Sequence, residues 1–395
     1  MLVQFSFKNF MSFKEETILD MAAINAYKEH EYNLIHGEQE NYLRVASIYG
    51  ANASGKSNFT IAYKAFQKIV VESSNNVESG KRNIIQKRYC PFVFDGEHNN
   101  TEFQIISNID GDEYKYGFEF NDKKIVSEWF YRKSKETNRV SIIFERENNS
   151  KIKFGNSIKK ECEIFGEQLS EETLVLSFFY KLMLRTDVFQ KMYREITEAT
   201  CVNSDAFDNW EIFMEFLPLL IDTEKEKLIE FLKCIDTGIV DIEYEKEGND
   251  VEFYTYHLDQ TGDKRMLPLI WESAGTLKCI SIYILATTVI ELNRVLIVDE
   301  LNVKLHPLLL KFIVDMFYNN SSKAQLIYTT HDTTLMDKKF FRRDQIWFVQ
   351  KDQFGHSELY ALSDFKVRSD ASFEKDYLSG VYGGIPMLKE CEQVR

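Results

Sequence analysis

Cysteine, proline and long apolar runs are scarce in this chain, and each scarcity removes a class of protein. The six cysteines among 395 residues (Cys90, Cys162, Cys201, Cys234, Cys279 and Cys391) are scattered with no C-x-x-C pair. That usage fits reduced thiols better than a disulfide frame or a zinc site. Five prolines, with 44% hydrophobic and 28% charged residues, leave no room for long disordered tracts. The longest apolar stretches, Leu174 to Leu184 and Cys279 to Ile290, are broken by polar residues or fall short of a membrane span, so no transmembrane helix and no membrane partner is expected. The opening MLVQFSFKNF alternates apolar and polar residues instead of forming a signal peptide, and the expected compartment is cytoplasmic. Excess positive charge is missing too. At a formal net charge of −14 the surface lacks the basic face that tracking nucleic acid demands. Lys81-Arg82 with Lys87-Arg88, and Lys338-Lys339 with Arg342-Arg343, leave nucleic acid open only as a local contact.

What is present centres on Ser47 to Thr60, SIYGANASGKSNFT, in which Gly50 to Ser57 reads G-x-x-x-x-G-K-S. The apolar run before it predicts a buried strand, and the residues from Asn58 onwards predict a helix with Ile61, Ala65, Ile69 and Val70 on one side. Such a strand, loop and helix make a phosphate-binding loop. Gly50 and Gly55 let backbone N–H groups turn inward, and the helix offers the positive end of its dipole. Gly50, Asn52, Ala53, Ser54, Gly55, Lys56, Ser57 and Asn58 are the candidate nucleotide contacts. Lys56 would reach the β- and γ-phosphates of ATP, and Ser57 would place its hydroxyl on Mg²⁺.

A second half of the site lies far along the chain. Val295 to Val298 is a continuous β-rich run ending in Asp299-Glu300, and its burial predicts a central parallel strand with both carboxylates at its carboxyl end. Asp299 there suits the Mg²⁺ of a bound nucleotide, and Glu300 suits activation of the attacking water. Taken alone, the pair is equally a strand ending in two solvated acids. His331 follows the predicted strand Leu326 to Thr330, where an imidazole can hydrogen-bond a γ-phosphate. Ser273 and Gly275 precede a predicted helix from Leu277 to Leu292, a second anion-binding helix start that by itself is only a good N-cap.

The remainder sorts into four stretches. Residues 1–91 carry the first part of an ATPase core. Residues 92–160, with short alternating runs separated by D-G and N-D turns, predict an antiparallel β lobe. Residues 161–236 predict an inserted helical lobe rich in Phe178, Phe179, Trp210, Phe213 and Phe216, which serve either as its core or as a docking face. Residues 237–395 complete the core.

The order of P-loop, long insertion, Ser-Ala-Gly-Thr, VLIVDE, Leu305-His306-Pro307 and YTTHD resembles ABC-type ATPase heads of the SMC and OLD kind. More closely, with Asn9-Phe10 and Ser12-Phe13 at the start and YLSGVYGGIP from Tyr377 to Pro386, it resembles the ABC-like ATPases of bacterial abortive-infection and phage-defence modules (AbiL/RloA-like AAA proteins). The resemblance implies an α/β P-loop ATPase head in which Lys56, Glu300 and His331 are catalytic. Ser273 and Gly275 would act across an ATP-dependent homo-oligomer on the partner's nucleotide, and Asn302 to His306 would meet that subunit. Ser-Ala-Gly-Thr departs from the transporter Ser-Gly-Gly-Gln. The glutamine that reaches Mg²⁺ in such heads has only Gln86 and Gln104 as candidates. The stretch after His331 is too short for an appended nuclease and no second carboxylate cluster follows, so a separate effector such as a nuclease is expected to carry any toxic chemistry. An SMC-like DNA-repair ATPase and a slowly hydrolysing ATP-dependent scaffold are the alternatives.

Overall fold

The computed structural model describes residues 1–75, 82–94, 96, 99–147, 151–165, 169–182, 187–203, 210–248, 250–368 and 371–386. Lys81, Leu184 and Cys391 lie outside them.

Two sheets flank the helix that follows the phosphate loop. The first is built from the apolar runs that the sequence shows, in the order Thr200–Val202, Val295–Val298, Gln325–Thr330, Val45–Gly50, Ile346–Lys351 and Ser357–Ala361. All neighbours are parallel except the last pair. Strands Val45–Gly50, Val295–Val298 and Gln325–Thr330 are buried at every residue, which accounts for their lack of polar alternation.

The second sheet is antiparallel and has the order Lys153–Phe154, Val140–Glu147, Ile125–Lys133, Asp112–Phe120, Thr101–Ile109, Leu2–Lys8 and Thr17–Asp20. The first two strands of the chain therefore join the β lobe expected for 92–160. The reason is aromatic: Phe5 and Phe7 pair in register with Ile105 and Phe103, and with Phe118 and Phe120 they make one buried face. The helix Lys56–Glu72 lies on that face, with Tyr63 4.9 Å from Phe5 and Phe66 5.7 Å from Phe118 between ring centroids. Its buried side carries Phe59, Ala62, Tyr63, Phe66, Ile69 and Val70, at i, i+3, i+4 spacing, whereas Ile61 is exposed. The expected stripe is thus rotated towards the larger aromatic residues.

The segment 161–236 spreads over two cores. Helices Val175–Lys181 and Asp187–Thr197 pack with the antiparallel sheet and the helix after the phosphate loop. Buried Glu128 accepts the first of these helices through the N–H groups of Val175 (2.7 Å) and Leu176 (3.1 Å). The strand Thr200–Val202 then enters the parallel sheet beside Val295–Val298, too short to show a period of its own. Helix Trp210–Cys234 packs with a separate three-stranded sheet (Asp241–Glu247, Asp250–Leu258, Lys264–Pro268) and with helix Ala274–Leu292. Phe179 and Phe213 are buried, Phe178, Trp210 and Phe216 pack against the two cores, and Trp210 stacks on Phe213. Phe179 and Phe213 are therefore core, whereas Phe178, Trp210 and Phe216 are half-buried at its edge.

Helix Ala274–Leu292 is long and apolar enough to cross a membrane. In the fold it is a core helix: Ile282, Leu285, Ala286 and Val289 face one hydrophobic cluster, and Cys279, Ile280, Tyr283 and Ile284 another. In the basic run at 338–343, Lys338 and Lys339 are exposed, whereas the arginines are engaged within the fold. Arg342 is 1% exposed, paired with Asp344 at 2.9 Å and bonded to the carbonyls of Ile24, Tyr27 and Glu29, while Arg343 stacks on Tyr27.

That buried pair pins residues 24–29 to the parallel sheet, and removing one partner strands the other charge. Asp344→Ala is expected to lower the unfolding free energy by about 3–5 kcal/mol, whereas Asp315→Ala, at the half-exposed pair with Lys311, costs under ~1 kcal/mol. Chemical denaturation of both variants measures the contrast, and equal effects would reject it.

Candidate nucleotide site

The parallel pairing brings three strand ends to one edge. Tyr328 pairs with Val298 and Ser47, and Tyr49 with Thr330, so Asp299-Glu300, His331 and the loop after Gly50 emerge side by side. A pocket of about 500 Å³ opens there, lined by Asn52 to Asn58, Glu300, His331 and Lys351.

The loop is held open by contacts that admit no larger residues. A Cβ on Gly50 would lie 2.5 Å from the Val349 carbonyl oxygen, and one on Gly55, at φ 119°, would lie 2.6 Å from Ser357 Oγ. Ala53 is also left-handed at φ 61°. Ser357 Oγ donates to the Ser54 carbonyl at 2.5 Å, and Asn58 Nδ2 to Ser12 Oγ at 2.7 Å, which binds the loop to the neighbouring hairpin and to the N-terminal turn. Among the described residues Ser54 Oγ is buried with no hydrogen-bond partner, which fits a polar ligand atom at the loop.

Lys56 is 4% exposed and donates to the carbonyls of Gly50 (2.8 Å) and Ala51 (3.0 Å). Burial pushes its pKa down to about 8, partly offset by Glu300 and Asp299. His331 Nδ1 stands 3.4 Å from Lys56 Nζ, and its Nε2 stands 3.5 Å from a Glu300 carboxylate oxygen. Burial and then Lys56 hold the imidazole below its usual pKa, which favours the neutral ring.

Thr329 organises the acidic pair. It is fully buried, donates to Asp299 Oδ1 at 2.6 Å and accepts the Glu300 N–H at 2.8 Å. Glu300 adopts φ 53°, a left-handed conformation that costs a non-glycine residue ~1–3 kcal/mol and persists only where its surroundings fix it. The backbone turns there, and the carboxylate is presented to His331 and the pocket.

Gly50, Asn52, Ala53, Ser54, Gly55, Lys56, Ser57, Asn58, Glu300 and His331 therefore meet at one edge, with Asp299 close enough to act on Lys56. Ser273 and Gly275 do not line this pocket. Ser273 caps helix Ala274–Leu292 by accepting the Thr276 N–H at 3.0 Å, and its hydroxyl is exposed. Neither Gln86 nor Gln104 lines the pocket. Gln86 closes the capping box of Ile84–Arg88, and Gln104 is held by Trp129 and Ser6. Thr329, Lys351 and Ser357 received no role from the sequence. Lys351 had one faint signal, its place at the carboxyl end of the strand beside the P-loop strand.

The chain matches, over residues 45–337, the family model described as "AAA domain, putative AbiEii toxin, Type IV TA system". The chain belongs to this AAA family. No functionally curated protein matches the sequence. Among solved structures, it is similar to an SMC head bound to the C-winged helix domain of ScpA (14% identity, TM-score 0.46, covering 95% of this chain and 99% of that one). It is also similar to the SMC head domain from Thermotoga maritima (14% identity, TM-score 0.44, covering 91% and 98%). No residue role is carried over from either. The AAA protein has the α/β fold of P-loop ATPases by its family and by the strand, loop and helix around Lys56.

The donor set suits Mg²⁺ bound together with phosphates. Among the described residues no three His, Cys, Asp or Glu side chains converge, whereas Ser57 lines the pocket, Asp299 follows strand Val295–Val298 near enough to act on Lys56, and Mg²⁺ commonly keeps water and substrate oxygens for its remaining positions. A triphosphate binds the cationic form of Lys56 and raises its pKa. ATP affinity is therefore expected to be flat below pH 8 and to fall as pH rises through about 8, with proton uptake on binding at pH 9. Calorimetry in buffers of different ionisation enthalpy reads this, and an affinity unchanged from pH 7 to 9.5 would contradict it.

Proposed function

We propose that this AAA protein binds and hydrolyses Mg–ATP between two copies of itself, and that the nucleotide cycle controls a separate effector in bacterial anti-phage defence. The observation that carries the ATPase reading is the meeting of Lys56, Glu300 and His331 in one pocket at the phosphate loop. Lys56 and the loop N–H groups neutralise phosphate charge. Ser57 and Asp299 would hold Mg²⁺, which would supply positive charge to the bound phosphates. Glu300 accepts a proton from the attacking water, and neutral His331, beside both Glu300 and Lys56, hydrogen-bonds the γ-phosphate.

Self-association is supported by the position of Ser273 and Gly275 outside the chain's own pocket, with Ser273 exposed and Gly275 half-buried beside it. Ile270, Trp271 and Leu308, which adjoin Ser273 and His306 in sequence, are 65%, 72% and 70% exposed, and apolar side chains of this size at a rim suit a protein contact. The defence setting, though not the separateness of the effector, is supported by the family's description, which names a putative toxin of a type IV TA system.

Lys56→Ala is expected to lose nucleotide binding, whereas Glu300→Gln keeps binding and loses at least ~10²-fold in kcat, because Lys56 acts in ground and transition states alike and Glu300 acts on the water. Parallel loss of binding in both variants would reject the role given to Glu300. In sedimentation, Glu300→Gln protein should associate on adding ATP, and Ser273→Arg should abolish the shift; indifference to Ser273 would remove the shared-site reading. The purified chain should hydrolyse ATP and cleave neither DNA nor RNA. Metal-dependent nuclease activity surviving Glu300→Gln would overturn the separate effector.

A further inference from the structure

The loop that carries Glu300 is held from two directions. On the sheet side, Thr329 accepts the Glu300 N–H, and its carbonyl accepts the Leu301 N–H at 3.1 Å. Beyond that the chain makes tight turns, Val303 N–H to the Glu300 carbonyl and Leu305 N–H to the Asn302 carbonyl, with Lys304 left-handed at φ 61°. The other side of the loop faces helix Ala274–Leu292. There Lys278, a lysine only 1% exposed, donates through Nζ to the Val303 carbonyl at 2.6 Å and to the Glu300 carbonyl at 3.4 Å. One turn earlier, a Cβ on Gly275 would stand 3.2 Å from the Lys304 carbonyl oxygen, so the helix start and the loop lie in close contact.

A buried ammonium is costly unless polar groups hold it. That of Lys278 binds backbone carbonyls of the two residues that close the turn after the general base, and one of them belongs to the left-handed Glu300 itself. Ser273, the exposed cap of the same helix, lies five residues before Lys278, about 7.5 Å along a rigid axis. A force on the helix start therefore reaches the turn of Glu300 through one side chain and one backbone contact.

We propose that Lys278 is a positioning residue: it fixes the Glu300 turn to the helix capped by Ser273, so that engagement of that helix start by a second copy sets the carboxylate for proton abstraction. This rests on the role given to Glu300 under the proposed function. The geometry makes Lys278 act on the chemical step and not on nucleotide affinity, because Lys278 does not line the phosphate-loop pocket.

The test uses the full chain with Lys278→Met, which keeps the length of the side chain and removes the donor, and Lys278→Arg, which keeps a cationic donor. Lys278→Met is expected to lower kcat by about 10- to 100-fold with KM and ATP affinity within about twofold, and Lys278→Arg to recover most of the loss. Hydrogen exchange without nucleotide should be faster at the amides of Leu301, Val303 and Leu305 in Lys278→Met and unchanged in the strand Val45–Gly50. An unaltered kcat, unaltered exchange at 301–305, or equal loss of ATP affinity and kcat would each overturn the proposal. If the wild-type chain shows no turnover, the role of Glu300 fails, while the exchange experiment still decides whether Lys278 holds the turn.

Discussion

The insertion of strand Gln325–Thr330 between Val295–Val298 and Val45–Gly50 is the constraint on which the site depends. Parallel strands of buried residues have one carboxyl edge, and three loops of unrelated chain position must emerge there together. The central strand also supplies Thr329, whose hydroxyl joins Asp299 and the Glu300 N–H. A slip of one residue in that register would turn Thr329 to the opposite face of the sheet and leave Asp299 without its donor.

Lys56 shows the electrostatic side of the same arrangement. Burial disfavours its charge, and the compensation comes from carbonyls of the loop and from the nearby acids, not from a salt bridge. Two loop carbonyls and the His331 imidazole surround its three donors, and phosphate oxygens would have to join or replace them. The lowered pKa of His331 follows first from its own burial and then from Lys56, since a second positive charge 3.4 Å away is disfavoured. The site is therefore organised to receive negative charge while keeping its imidazole neutral.

Helix Ala274–Leu292 sits between two hydrophobic clusters and reaches the site at one end only. That placement explains a composition apolar enough for a membrane span in a helix that is mostly interior. It also makes the helix stiff: side chains fixed on both faces leave few ways for its start to move without moving the loop after Glu300.

The sequence by itself determined the phosphate loop, the acidic pair after a buried strand and the histidine after another, because each requires residue types at fixed local spacing: Gly50, Gly55 and Lys56 within eight positions, Asp299-Glu300 after VLIV, His331 after LIYTT. It also showed the antiparallel runs, whose alternation is a local property. Only the tertiary structure decided that Leu2–Lys8 joins those runs, that Thr200–Val202 completes the parallel sheet, and that Arg342 is buried while Arg343 is not. Those outcomes depend on which faces find each other across long stretches of chain, and no local period records that. Thr329, Lys351, Ser357 and Lys278 belong with them: each is an ordinary residue in its own segment, and its role exists only through an atom that folding brings within hydrogen-bonding or pocket-lining reach.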